Sequence, residues 1–428
     1  MTAAGRAVGM LRGRAGPAVL SQGVAALSSL VLQVVAARTL GLSGYGAYVV
    51  CFGVLVTVTA VFTGFVGDSL TVLDRFDPLV RGALSLTAAA GIALGALVCG
   101  VVASAVRHGG PGAGVAFALA AAAWLAREVG RRILTARLSY WLLTATDTIA
   151  VVVTLGTLTV LLLTAPGTGL AGIFAAIAVG NVLAGLVGLA LLPAAERRPT
   201  RPGTAGLARV AGFASWRSLQ VGLRPGTLVV VRLLVAATGG LAGVGLLEAG
   251  RLILAPVQTV VNSAGSVLLA GGAAARRQGR GASEWTGRAA VLLVAGALAG
   301  GAVGAVFADP LGRLVIGRPA PVGLVVGWAV FLAVAAATLP YATEVTVQER
   351  SRTVFAIRLA DSLTAIGLVV VLGLAGLAVA WVPWTMAVSG AGWFLALRAV
   401  AHACRRSAAQ PDTATEAPAR AREAGWST

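Results

Sequence analysis

Four polar side chains in one otherwise apolar stretch define the chemistry open to this chain. Arg217, Gln220, Arg224 and Arg232 are spaced so that a helix gathers them on one face roughly 120° wide. Pro225-Gly226 interrupts that helix beside Arg224, where a proline frees backbone groups and introduces a kink. Glu248 and Arg251 follow three residues apart, and Arg358 and Asp361 repeat that spacing, which places each couple on a common helical face. Asp147 stands among Thr144, Thr146 and Thr148.

An ionised side chain at the centre of a bilayer costs ~2.5–3.5 kcal/mol on insertion scales, so such groups face a protein or aqueous interior. Guanidinium forks match phosphate oxygens in geometry and charge. Arg217, Gln220, Arg224, Arg232 and Arg251 are therefore the candidate ligands for an anionic substrate. Asp147, Glu248, Arg358 and Asp361 are candidates for coupling to a proton or a sodium ion. The plainer alternatives are that Arg217 snorkels to the surface and that Glu248–Arg251 and Arg358–Asp361 are neutralised pairs tying helices together. Asp147 reads as the one clear intramembrane charge of the first half: protonated, paired across a cleft, or holding a cation.

The elements that must position these groups are membrane helices. Of 428 residues, 58% are hydrophobic and only 11% charged, with a mean hydropathy of +0.90. Soluble domains carry about 25% charged residues, so a soluble globular chain is excluded. Apolar runs long enough to cross about 30 Å of hydrocarbon are expected over 17–37, 45–67, 82–106, 115–134, 141–163, 170–192, 213–236, 241–270, 289–308, 322–341, 354–373 and 377–400. The fourth run ends in Arg127, Glu128, Arg131 and Arg132, and these turns are read as a helix emerging from the bilayer. The first run follows Arg6, Arg12 and Arg14 and is read as an uncleaved span rather than a signal peptide.

All basic residues are arginine, giving a net charge of +18. They cluster in the loops, as the positive-inside rule requires, with no basic–aromatic face for a nucleic acid. With the N-terminus inside, about 24 arginines fall on the inner side and 4 on the outer. That asymmetry favours an even number of spans in the cytoplasmic membrane, with both termini cytoplasmic. The expected fold is all-α integral membrane, with about twelve transmembrane helices in two six-helix lobes. The lobes occupy 1–192 and 213–400, joined by a cytoplasmic linker over 193–212, and a polar tail over 401–428 reads as disordered.

The halves echo each other. Gly41-Leu42-Ser43-Gly44-Tyr45-Gly46 is matched by Gly240-Leu241-Ala242-Gly243-Val244-Gly245, an offset of 199 residues. Gly169-Leu170-Ala171-Gly172 is matched by Gly373-Leu374-Ala375-Gly376, an offset of 204. Asp147 and Asp361 each lie about two turns into the fifth span of their half. Repeats of six spans share one orientation and are related by an axis along the membrane normal, with the substrate site between them.

Other chemistry finds little support. Cys51, Cys99 and Cys404 are scattered, and His108 and His402 are far apart, so no metal site is expected. There is no phosphate-binding GxxxxGK[ST] element and hence no intrinsic ATPase. Gln33 and Asn181 read as helix–helix hydrogen bonds. Trp381, Trp384 and Trp393 read as packing or interface anchors.

The stretch Ala37-Arg38-Thr39-Leu40-Gly41-Leu42-Ser43-Gly44-Tyr45-Gly46-Ala47-Tyr48 resembles the R-x-L-G-x-x-x-Y-G-x-Y signature of polysaccharide and oligosaccharide flippases. These belong to the multidrug/oligosaccharidyl-lipid/polysaccharide (MOP) exporter superfamily. Gly245 to Leu252 is similar to that family's G-x-x-x-A-x-R-L element, and Gly373 to Gly376 to its G-x-x-G-A turn; Val244 departs from the Tyr45 of the first half. The resemblance implies a two-lobe fold that moves a polyprenyl-pyrophosphate-linked glycan to the outer leaflet. Its partners are then the lipid-linked anionic glycan, membrane lipids, a coupling proton or sodium ion, and polysaccharide-assembly proteins. No cofactor and no enzymatic activity are expected. Three rival readings are a drug or metabolite exporter of the same fold, a non-transporting scaffold of a polysaccharide-assembly complex, and a membrane-embedded glycosyltransferase or ligase. The last calls for an outer loop with acid and base groups, and the longest outer loop, 309–321, offers one carboxylate, Asp309.

Overall fold

The computed structural model describes residues 15–74, 76–165, 167–197, 201–277, 283–348 and 350–409. Among these the chain is helical throughout, without strands. The long helices are α1 (Ala15–Phe62), α3 (Pro78–Ala105), α4 (Pro111–Ala136), α5 (Tyr140–Thr164), α6 (Gly169–Leu191), α8 (Leu207–Ile253), α9 (Ala255–Arg277), α10 (Ser283–Val306), α12 (Val322–Val347), α13 (Ser351–Leu374) and α14 (Val382–Ala409). Shorter pieces are α2 (Asp68–Val72), joined to α1 by a π-helical turn over Thr63–Gly67, then α7 (Ala194–Arg197) and α11 (Ala308–Ile316). Among the described residues, ten helical stretches are long and apolar enough to cross a membrane.

Two of those ten are each 47 residues long, about 70 Å at 1.5 Å per residue and far beyond the hydrocarbon thickness. Each is broken once. Gly41 (φ 66°, ψ −178°) interrupts α1 and Gly240 (φ 68°, ψ 176°) interrupts α8. Only glycine adopts this backbone region freely. These are equivalent positions of the 199-residue echo, so the repeat is present in backbone conformation as well as in letters.

The echo also meets itself in space. A Cβ placed on Gly46 would strike the carbonyl oxygen of Leu241, and one on Gly245 would strike that of Leu42. Each half thus lays the start of its post-break helix against the equivalent segment of the other, and α1 packs more extensively on α8 than on any other element. The main core joins both halves here, through Tyr45, Tyr48 and Leu55 on one side and Val231, Val244 and Leu247 on the other. Tyr48 stacks on Tyr45, Phe52 and Phe174, and Phe174 stacks on Phe117, geometries that add to simple area burial. Two smaller clusters, around Tyr341 and Val345 and around Ala333 and Ala336, belong to the second half.

Local signals set the ends. Pro78 opens α3, and the Asp77 carboxylate accepts from the Leu79 N–H, as an N-cap should. Arg197 donates from Nη2 to the carbonyls of Ala190 and Leu192 at the end of α6, meeting orphan acceptors and the negative end of the helix dipole.

Several boundaries differ from expectation. α8 begins at Leu207, so the linker is shorter than 193–212, and α7 lies within it. The loop over 309–321 contains α11. α12 continues to Val347, beyond 341, because Glu344 is held inside the protein. α14 runs to Ala409, and the tail beyond it, like Arg6, Arg12 and Arg14, lies outside the described residues. The second echo is out of register in conformation: the left-handed glycines are Gly169 and Gly376, not Gly169 and Gly373.

Candidate functional site

Among the described residues, the charged side chains inside the helices form three groups, one separate Arg217–Asp68 pair and one isolated lock. In the first half, α4, α5 and α6 converge on Asp147. Its carboxylate accepts from Arg127 Nη2 at 2.5 Å and from Arg131 Nε and Nη2 at 2.9 and 3.1 Å. Arg131 Nη1 also donates to Glu128 at 2.8 Å, and Arg132 Nε donates to the other Glu128 oxygen at 2.7 Å. Arg127 Nη1 donates to Asn181 Oδ1 at 2.6 Å. Glu128, Asp147 and Asn181 are all buried.

The charged end of α4 packs against the protein: Arg127 and Arg131 find partners on α5 and α6, and Glu128 finds its arginine partners on α4 itself. Asp147 is not a lone charge, and its partners come from its own half rather than from across a cleft. Asn181 does bridge helices, whereas Gln33 bonds only to Ser29 in its own helix.

The second group lies at the junction of the halves. Glu248 accepts from Arg232 Nε at 2.8 Å and from Arg251 Nε at 2.6 Å, and Arg251 Nη1 reaches Gln258 Oε1 at 3.2 Å. The Glu248–Arg251 pair follows the three-residue spacing, but the same carboxylate is also bonded by Arg232. Arg232 fits against α1 only because Gly53 has no side chain; a Cβ there would collide with its guanidinium.

The third group is the unpaired one. Arg224 and Arg358 are both exposed at mid-helix positions, and Asp361 is half-buried. Asp361 accepts from the Ser389 hydroxyl at 2.8 Å rather than pairing with Arg358, which corrects the expected couple. Arg224 and Arg358 lie in the field of Asp361 and close to each other, yet neither makes an ion pair with a described residue. Arg224 and Arg251 line one small cavity with Gln258, Trp328 and Phe331. Arg224, Arg251 and Arg358 therefore form a contiguous basic region, and Arg232 adjoins it through Glu248. Gln220 is half-buried on the same helix.

Arg217 stands apart: it donates from Nε to Asp68 at 2.6 Å, near the far end of α8. The lock is Glu344, wholly buried and held by both Nε and Nη2 of Arg405 at 2.7 and 2.6 Å. Asp68, Arg127, Arg131, Glu344 and Arg405 were missed as interior charges because each lies near the end of an apolar run, where hydropathy alone assigns it to the surface. Among the described residues no cluster of histidine, cysteine, aspartate and glutamate could hold a metal ion. The three cysteines are free and buried. Trp384 donates to the Gly323 carbonyl and Trp393 to Thr364, so both tie helices together, and Trp381 is exposed.

No family model matches this chain, and no curated protein matches it. Its fold is that of known membrane transporters. It is similar to an inward-facing multidrug resistance MATE family transporter of the MOP superfamily, at 16% identity and TM-score 0.66, over 91% of this chain and 99% of that one. It is similar to the lipid II flippase MurJ in an inward closed conformation, at 13% identity and TM-score 0.70, over 89% of this chain and 86% of that one. A MOP superfamily transporter from Pyrococcus furiosus, described as having a binding pocket of reverse polarity, aligns at 12% identity and TM-score 0.58, over 94% and 98%. The chain thus shares the all-helical fold of these proteins, and its long apolar helices are those of a multi-pass membrane protein; the fold neighbours are themselves transporters.

Proposed function

We propose that this protein is a secondary transporter that carries a polyprenyl-pyrophosphate-linked oligosaccharide across the cytoplasmic membrane by alternating access. The observation that carries this reading is the basic region of Arg224, Arg251 and Arg358. Arg224 lies about 24 Å along the helix from Gly240, inside a hydrocarbon core about 30 Å thick, and its side chain is exposed there. An accessible guanidinium at that depth, without an ion pair, is costly unless an anion or water meets it. A pyrophosphate supplies adjacent anionic oxygens suited to several forks at once. The prenyl chain stays in lipid while the charged head crosses. A cationic drug would meet repulsion at this site, which disfavours the multidrug reading.

The two halves, 1–192 and 213–400, are the bodies that rock, with the Gly46–Leu241 and Gly245–Leu42 contacts as their meeting point. For coupling, Asp361 is the candidate of choice. It is the one carboxylate within the long helices, among the described residues, that has no arginine in ion-pair contact. A proton or sodium ion there displaces only the Ser389 hydrogen bond and meets Arg224 and Arg358 through their field, whereas at Asp147 or Glu248 it must displace two arginines in direct contact. The arginine distribution supports a cytoplasmic position for both termini.

The test is complementation of a strain lacking its lipid-linked oligosaccharide flippase. Arg224→Ala and Arg358→Ala are expected to abolish surface polysaccharide while membrane abundance stays unchanged. Full complementation by both variants would overturn the substrate site.

A further inference from the structure

The first half contains a groove that the transport reading does not use. It encloses about 660 Å³ and is lined by α3 from Arg81 to Ile92, α4 from Ala123 to Leu134 and α6 from Asn181 to Leu192, with Glu196 and Arg197 at one end. Each helix contributes eleven steps, about 16 Å at 1.5 Å per residue. That is close to half of a hydrocarbon core about 30 Å thick, or one leaflet.

Charge and polarity divide the groove. Its lining holds Arg127 and Arg131, whose charge is met by Asp147 and Glu128, together with Glu196, which pairs with Arg137, Arg197, and Arg81, which donates to the carbonyls of Ala195 and Glu196. Arg81 and Arg197 sit at the mouth, on the arginine-rich side of the molecule. Arg197 donates to main-chain carbonyls there, contacts that leave its charge in place. Arg127 Nε, on the wall, is buried without an acceptor. Most of the remaining lining is apolar, and Phe76, Val182, Leu186 and Leu189 on its rim are exposed, so the groove opens sideways toward the acyl chains. A groove charged at the headgroup level and apolar along one leaflet is complementary to an amphiphile with an anionic head.

We infer that this groove holds one anionic phospholipid from the leaflet on the arginine-rich side. The phosphate sits between Arg81 and Arg197 at the mouth. One acyl chain lies along Leu84, Ala88, Leu186 and Leu189. A free inorganic anion would use only the mouth and leave the apolar length empty. The inference does not depend on what the transporter carries.

The test uses the full-length protein, stripped of lipid in detergent and titrated with phosphatidylglycerol, phosphatidylcholine or soluble glycerol phosphate, with binding read by native mass spectrometry and thermal melting. Two variants probe it. Arg197→Gln removes charge at the mouth, and Ala88→Phe fills the acyl wall while keeping every arginine. Wild type is expected to retain one phosphatidylglycerol in preference to phosphatidylcholine. Arg197→Gln should weaken that retention about five-fold, the effect of one basic side chain at a membrane surface. Ala88→Phe should reduce it to the phosphatidylcholine level without lowering the melting temperature of the stripped protein. Equal retention of both lipids, unchanged phosphatidylglycerol retention in Ala88→Phe, or equal protection by glycerol phosphate would each overturn the inference. If Arg197→Gln does not fold, Ala88→Phe alone decides.

Discussion

At the scale of residues, the interior arginines divide into those that share a carboxylate and those that do not. Arg232 and Arg251 share Glu248, and Arg127 and Arg131 share Asp147. Removing the acid of such a group strands buried guanidiniums, a loss of about 3–5 kcal/mol. Glu248→Ala is therefore expected to lower the melting temperature of the detergent-solubilised protein sharply. Arg224→Ala strands nothing and should change stability by less than about 1 kcal/mol, while transport is lost. A thermal-shift comparison of the two variants checks both outcomes together. The Glu248–Arg251 pair was legible in sequence because both partners lie on one helix, three residues apart. The partners of Asp147 were not, since they lie 16 and 20 residues back on the preceding helix and are recognisable only once that helix is known to turn its charged end inward.

At the scale of elements, the glycine breaks and contacts of α1 and α8 are the parts most tightly specified. A side chain at Gly46 has nowhere to go except into the Leu241 backbone, and the same holds for Gly245 against Leu42. Gly46→Val and Gly245→Val should each destabilise the protein by about 1–3 kcal/mol through overpacking, checked by melting in detergent. The two losses should be less than additive, because either one already separates the same pair of segments. Gly41→Ala has open space around it but must hold φ near +66°, so a smaller loss of about 1–2 kcal/mol is expected from backbone strain alone. The sequence echo pointed to these positions because glycine recurred at both the break and the contact. The second echo failed as a structural guide: a Gly-Leu-Ala-Gly string in a glycine-rich chain carries no information about which glycine takes the left-handed turn.

At the scale of the whole molecule, apolar run length made the membrane class and the all-helical fold legible, because a bilayer leaves the backbone few alternatives. The asymmetry of charge was legible only in part. Counting arginines in apolar runs found the surplus of the second half. It missed the compensated network of the first half and the Glu344–Arg405 lock, whose members sit where a helix end and a loop look alike in composition. What remains after pairing is a small accessible basic region of Arg224 and Arg358, bordered by the Glu248-paired Arg251, and on this the functional account rests. The most direct measurement is flipping of a fluorescent polyprenyl-pyrophosphate-linked oligosaccharide in proteoliposomes containing the purified protein. The account predicts translocation by wild type and loss of translocation in Arg224→Ala and Arg358→Ala proteins reconstituted to the same density. Equal translocation by wild type and both variants would contradict it, as would wild-type transport of a cationic drug with none of the pyrophosphate-linked lipid.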